Sequence, residues 1–343
     1  MAKTQKIKDW DMLSDDEILQ IRVRDLNLQI PGSELEPLIE RLYAELDAKG
    51  IKFHPQCYLA DEWFCPERVP IIGIPFCLAH PRLKQIEQKM LYEVEGGTEE
   101  SCMKLLRHEC GHALNYAYDL YKKTRWRELF GLFSARYSGY YYFQPYSRRY
   151  VIHLEDNYAQ SHPDEDFAET FAVWLSPNGD WQQKYRDWPV IKKLWYADGL
   201  MKRIANRPPV NTVREHPPWS ASRMTSTLAA HYERKRKALG SEFQGFYDDS
   251  LETLFNPKPA GPASLRASRF LRNHRRELVD SVSRWTGHRK YDIRQLVNTL
   301  ITRCDALDLY AGPGQTDNII GLTALLTAIA GNTLKPFRRY TRQ

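Results

Sequence analysis

Leu105-Leu106-Arg107-His108-Glu109-Cys110-Gly111-His112-Ala113-Leu114 sets two histidines four residues apart within an apolar-periodic segment. The periodicity predicts a helix, and residues i and i+4 share one helix face. His108 and His112 therefore project their imidazoles together and can offer two nitrogens to one tetrahedral metal, for which Zn²⁺ is the natural match. Glu109 falls beside such a metal rather than on it, placed to take a proton from metal-activated water. Gly111 is small, which leaves room near a metal. Cys110 lies two residues from each histidine and so points away from them. A five-residue pattern alone is weak evidence, so its weight depends on what surrounds it.

Upstream, Thr98 followed by Glu99 and Glu100 gives an N-cap and an acidic first turn, predicting a helix through about Lys123. A shorter helix is expected from about Pro81 to Tyr92. The run Val69-Pro70-Ile71-Ile72-Gly73-Ile74-Pro75-Phe76-Cys77-Leu78-Ala79-His80 is β-like, and its two prolines place it on a sheet edge. Such an edge beside a cleft can take substrate backbone as an added strand at Gly73 and Ile74, or it can be a plain edge strand. Ser33 can cap a packing helix over Glu34 to Ala48, with Leu35, Leu38, Ile39, Leu42 and Leu46 on one face. Ser14-Asp15-Asp16-Glu17 is a helix start. The alternation from Ile21 to Ile30 predicts a strand.

Downstream, Phe133 to Tyr150 is irregular and rich in tyrosine (Tyr137, Tyr140, Tyr141, Tyr142, Tyr146, Tyr150), read as packing residues that could also wall a cleft. Pro163 to Leu175 then predicts a helix, with Ser161 or His162 as cap and Ser176-Pro177 as the stop. Asp164, Glu165 and Asp166 can simply complement the helix dipole. Glu165 and Glu169 also share a face of an otherwise apolar helix, where a metal and its supporting partner explain both carboxylates. Trp181 to Met201 reads as further helix. Beyond Arg207-Pro208-Pro209 to His216-Pro217-Pro218 come basic helices at about 223–239, 263–285, 291–310 and 316–330. Arg269, Arg272 and Arg276 share one face, either a solvated surface or a groove for an acidic peptide or nucleic acid. The sequence has no internal repeat and no recognisable nucleic-acid motif, which makes nucleic acid the less favoured partner.

With 343 residues, the chain has room for two domains. Its net charge of +6 conceals an asymmetry. Residues 1–200 carry 25 Lys+Arg against 31 Asp+Glu, whereas the remainder carries 24 against 12. We therefore expect a first domain over 1–205, a proline-rich linker over 206–222, and a basic, mainly α-helical C-terminal region over 223–343. The N-terminal residues lack the apolar core of a signal peptide. No stretch is apolar for long enough to span a membrane. The six cysteines include no Cys-x-x-Cys pair. These features predict a cytoplasmic protein with reduced thiols and no membrane partner.

With both helices in hand, residues 70–175 resemble a zincin of the gluzincin type, in which His-Glu-x-x-His is completed by a glutamate on a downstream helix. Glu165-Asp166-Phe167-Ala168-Glu169 is similar to the second-helix pattern of those enzymes. The resemblance implies His108, His112 and Glu165 as ligands of one Zn²⁺, Glu109 as general base, and Glu169 as support for a ligating histidine. The segment also resembles the catalytic domain of anthrax lethal factor and related bacterial endopeptidases, where a tyrosine seven residues before the glutamate stabilises the transition state. Tyr158 stands at that position. From the Leu26 region to about Met201 the chain looks like a bacterial family of zinc-binding metallopeptidases. The implied fold is α+β, a small twisted sheet with active-site helices, and the implied activity is hydrolysis of a peptide or isopeptide bond. The gap from His112 to Glu165 is much longer than in metallo-aminopeptidases, which leaves Asp166 and Glu169 as alternative third ligands. The competing reading is a non-catalytic zinc-containing binding protein that works through its basic C-terminal helices.

Overall fold

The computed structural model describes residues 9–91, 93–137, 144, 146–177, 179–212, 217–239, 247–259, 261, 264–312 and 314–333. The chain is α+β and mostly helical, and it forms two compact units, Met1–Met90 with Val94–Glu233, and Leu91–Glu93 with Arg234–Gln343. The first contains α1 (Asp15–Leu19), α2 (Glu36–Ala48), β1 (Gln56–Ala60), β2 (Ile71–Pro75), α3 (Pro81–Leu91), α4 (Glu99–Ala117), α5 (Thr124–Phe130), α6 (Pro163–Leu175), α7 (Trp181–Lys184) and α8 (Ile191–Ile204). Helix α9 (Leu228–Leu239) begins in the first unit and continues into the second. That unit holds α10 (Asp248–Leu254), α11 (Ala267–Thr286), α12 (Lys290–Ala306) and α13 (Gln315–Thr333).

Helix α4 is the axis of the first unit and packs against α6, α2 and β2. It starts where the sequence predicts, with Thr98 accepting from the Ser101 N–H and Ser101 answering to the Thr98 N–H. It stops earlier than expected, because Asp119 takes a left-handed conformation (φ 51°) and a 3₁₀ turn follows over Leu120–Lys122. Toward α2, Arg107 makes a bidentate pair with Glu45, both hydrogen bonds 2.7 Å long and both residues buried. Such a pair is costly to break from one side, by about 3–5 kcal/mol. Toward α6 the contact is far tighter. A Cβ on Gly111 would lie 2.8 Å from the Ala168 Cα and 3.1 Å from its carbonyl oxygen. Gly111 is therefore small to let the two helix backbones meet, which corrects the expectation that it makes room for a metal.

Strands β1 and β2 pair in parallel, with Gln56 opposite Ile71 and Ala60 opposite Pro75. The edge expected at 69–80 is covered. The Gly73 N–H and C=O are both bonded to Phe64, at 2.8 and 3.3 Å, and all of β2 is buried. A side chain at position 73 would strike the Phe64 ring at 2.7 Å. An added substrate strand at Gly73 and Ile74 is thus excluded by the connection between the strands, which wraps back over β2.

Three further expectations change. Ile21 to Ile30 is not a strand: Val23–Leu26 forms a 3₁₀ turn closed by Asn27 in the left-handed region, and pairing is limited to a bridge between Arg22 and Thr227. The proline-rich segment is not a free linker. The Val210 and Asn211 N–H groups donate to the Ala117 carbonyl at the end of α4 (2.8 and 3.0 Å), and the Tyr58 hydroxyl donates to the Pro218 carbonyl. The first two satisfy a carbonyl that the end of α4 leaves open, and the boundary between units falls after Glu233 rather than near 206–222. Finally, Trp181 to Met201 is broken into α7 and α8. Tyr140, Tyr141 and Tyr142 lie outside the described residues, and Tyr146 is exposed rather than packed.

In the second unit, α11 packs on α12 and α13 through a core that includes Leu271, Leu278, Val282, Leu296, Leu300 and Leu326. Helix α10 was not anticipated. No described helix is long and apolar enough to cross a membrane.

Because α4 and α6 meet backbone to backbone, Gly111→Ala should cost roughly 1–3 kcal/mol of stability, the usual range for overpacking a core. Urea unfolding of the variant beside the wild type checks this. An unchanged midpoint would show that the helices part without penalty.

Candidate metal centre

The helix crossing brings His108 and His112 of α4 against Glu165 of α6, all three buried. The His108 Nε2 lies 3.0 Å from Glu165 Oε2, the His112 Nε2 lies 3.1 Å from the same oxygen, and the two Nε2 atoms are 3.1 Å apart. Ligand bonds of about 2.0–2.1 Å in a tetrahedron separate neighbouring ligand atoms by about 3.3 Å. The triangle is therefore of the right size to hold a metal ion.

The opposite side of each imidazole explains why those atoms face inward. His108 Nδ1 is 2.7 Å from Glu169 Oε1, and the other Glu169 oxygen accepts the Leu154 N–H at 2.9 Å. His112 Nδ1 is 3.0 Å from Asp164 Oδ2. A carboxylate only accepts, so each Nδ1 carries a hydrogen, and in the neutral imidazole each Nε2 then has a lone pair facing Glu165. With both imidazoles neutral, three electron-rich atoms converge with no donor hydrogen among them. Such an arrangement requires positive charge at its centre, from protons or from a metal ion. Among the described residues this is the one group of histidine, cysteine and acid side chains with that convergence.

The electrostatics agree in direction. Burial pulls the His112 pKa down, but Asp164 and Glu165 outweigh it and raise it well above the usual imidazole value. Burial pushes Glu165 up, and the two histidines overcome this and hold it well below the usual carboxylate range. Negative charge that attracts a proton to this site attracts a metal cation to the same place.

The two alternative third ligands are engaged elsewhere. Glu169 serves His108, as above. Asp166 pairs with Lys193 of α8 at 2.5 Å, and burial outweighs that lysine to push its pKa to about 7. Neither joins the triangle. Glu109 is buried, and after burial itself its charge helps raise the Cys65 thiol, which places it toward the β1–β2 connection. Tyr158 stands in the 3₁₀ segment Glu155–Gln160, with its ring centre 5.6 Å from that of His108. Cys110 is buried on the far side of α4 near Cys57 and Glu45, and all six cysteines are free. Arg269, Arg272 and Arg276 belong to the second unit, outside the cluster. Arg272 is tied to Asp305 at 2.6 Å, whereas Arg276 is 95% exposed.

Sequence reasoning missed several members. Asp164, read as a dipole partner, is a hub that also accepts from the Asn115 side chain (2.7 Å) and the Tyr116 hydroxyl (2.5 Å). Tyr116 is four residues after His112, so the shared helix face was an available signal. Tyr137 donates to Glu165 Oε1 at 3.1 Å from an irregular segment and gave no such signal. No family model, curated protein or solved structure matches the chain.

Since Asp164 and Glu169 fix the two imidazoles, Asp164→Asn and Glu169→Gln should each weaken metal binding about 10–100-fold, the usual effect of losing such a partner. Glu165→Gln, which removes a charged member of the triangle, should weaken it further. Competition against a chelator of known affinity ranks the three. Equal binding by all of them would remove the site from consideration.

Proposed function

We propose that this chain is a zinc-dependent metallopeptidase with a zincin-like first unit, hydrolysing a peptide or isopeptide bond. The observation that carries the proposal is the triangle of His108 Nε2, His112 Nε2 and Glu165 Oε2, backed on its far side by Glu169 and Asp164. Three protein ligands leave a fourth position free, the mark of a catalytic zinc site, whereas a closed structural site uses four. That count disfavours the non-catalytic binding protein.

His108, His112 and Glu165 would hold the ion, which when bound supplies Lewis acidity toward a carbonyl oxygen and lowers the pKa of a neighbouring water toward about 7. Glu109 takes a proton from the attacking water and delivers it to the leaving amine. Tyr158, beside His108, offers its hydroxyl to the carbonyl oxygen as negative charge develops there. Glu169 and Asp164 keep both imidazoles in the tautomer that leaves Nε2 free. The substrate in this reading is a peptide or protein. The basic composition of the second unit makes an acidic peptide one candidate to test, and Glu277 and Asp280, interspersed among the α11 arginines, disfavour nucleic acid.

Zinc analysis and peptide-library cleavage, run on the wild type and on Glu109→Gln, test the proposal together. Glu109→Gln should retain the metal and lose turnover by roughly 10²–10⁴-fold, the range associated with general acid–base groups. Wild-type zinc content with no cleavage of any peptide, joined to salt-dependent binding of an acidic polymer, would favour the binding protein instead.

A further inference from the structure

Among the described residues, a further hydroxyl touches the triangle from a different part of the chain. The Tyr137 hydroxyl donates to Glu165 Oε1 at 3.1 Å, the carboxylate oxygen turned away from both histidines. Its ring is stacked on His162, with centres 3.6 Å apart and planes 15° from parallel. His162 is itself fixed at both nitrogens. Its Nε2–H donates to the Ala135 carbonyl at 2.9 Å, and its Nδ1 accepts the Asp164 N–H at 3.1 Å as the N-cap of α6. The tyrosine is thereby tied to the helix whose glutamate it touches.

We infer that Tyr137 is a positioning residue that occupies the second oxygen of Glu165 and so restricts Glu165 to one-oxygen ligation of the metal. This rests on the metal-binding reading above. A carboxylate can ligate through one oxygen or two, and the second oxygen is withdrawn when a fixed donor holds it. One-oxygen ligation keeps the coordination number low and leaves the remaining position for the reactant. The hydrogen bond also draws negative charge from the ligand, which leaves the metal a stronger electrophile. The anchorage gives the contact its precision. Tyr137 cannot swing aside without unstacking from His162, and His162 cannot move without uncapping α6 and disturbing Asp164, the partner of His112. One stacked pair thus couples the outer partners of two ligands.

Tyr137→Phe removes the hydroxyl and keeps the stacked ring. In the full chain, Zn²⁺ and Co²⁺ affinities are measured by chelator competition, alongside the visible spectrum of the Co²⁺-loaded protein and the metal-free melting temperature. The expected result is a retained cooperative metal-free melt and at least severalfold tighter binding of both ions, because the freed carboxylate carries more charge and can ligate through both oxygens. The Co²⁺ absorption should also be less intense, as Glu165 supplies its second oxygen and the coordination number rises. His162→Asn keeps an N-cap acceptor while removing the stacking face, and should shift affinity and spectrum the same way; it carries the test if Tyr137→Phe does not fold. Wild-type affinity and spectrum in a folded variant overturn the inference while the metal reading stands. A wild type that takes up neither ion overturns both.

Discussion

The close approach of α4 and α6 at Gly111 and Ala168 governs the molecule. Two helices ordinarily pack with their axes about 8–10 Å apart, held off by side chains. Here the Gly111 position has no side chain and faces the Ala168 backbone, so no side chain holds the helices apart at the crossing. His108 and His112 flank Gly111 by three residues and one, and Glu165 and Glu169 flank Ala168 by three and one. The crossing point therefore fixes the triangle and its Glu169 support together. Arg107 and Glu45 fasten the opposite side of α4 to α2, which limits its freedom to roll.

Helix α6 carries four buried carboxylates within six residues, an arrangement that would be prohibitive if they were left bare. Each has its own partner. Asp164 takes His112, Asn115 and Tyr116; Glu165 takes the triangle and Tyr137; Asp166 takes Lys193; Glu169 takes His108 and the Leu154 N–H. The acid run at the start of α6 does complement the helix dipole, but its main role is local. Four different counter-groups, drawn from α4, α8 and two irregular segments, arrange the surroundings of one helix.

What the sequence disclosed follows from the range of the forces involved. The helix of His108 and His112, its Thr98 cap, the helix of Glu165 and its His162 cap are short-range features, and period and capping chemistry find them. Pairing of Glu165 with the histidines was legible because both sides bear groups that have little other reason to sit on apolar helices. The strand expected at Ile21–Ile30 failed because alternation describes burial on two sides equally well when a turn, rather than a sheet, sets the exposure. The covered edge at Gly73 depends on where residues 61–69 run, a tertiary matter with no periodic trace. Tyr137 is 28 residues from Glu165 and belongs to no repeating element, so only the folded chain connects them. The proline-rich segment misled because composition reports the absence of regular structure, not the absence of packing.

The separation of the two halves has a consequence for how the centre comes into being during synthesis. His108 and His112 are presented as soon as α4 forms, from contacts within a single turn. Glu165 arrives more than fifty residues later, and Asp164 and Glu169 arrive with it. A growing chain that has made α4 alone offers a two-histidine chelate with no oriented tautomers, which any divalent ion can occupy and leave. The complete triangle exists only once α6 has docked on α4. Any choice among ions by this triangle would therefore belong to the finished fold rather than to the nascent helix.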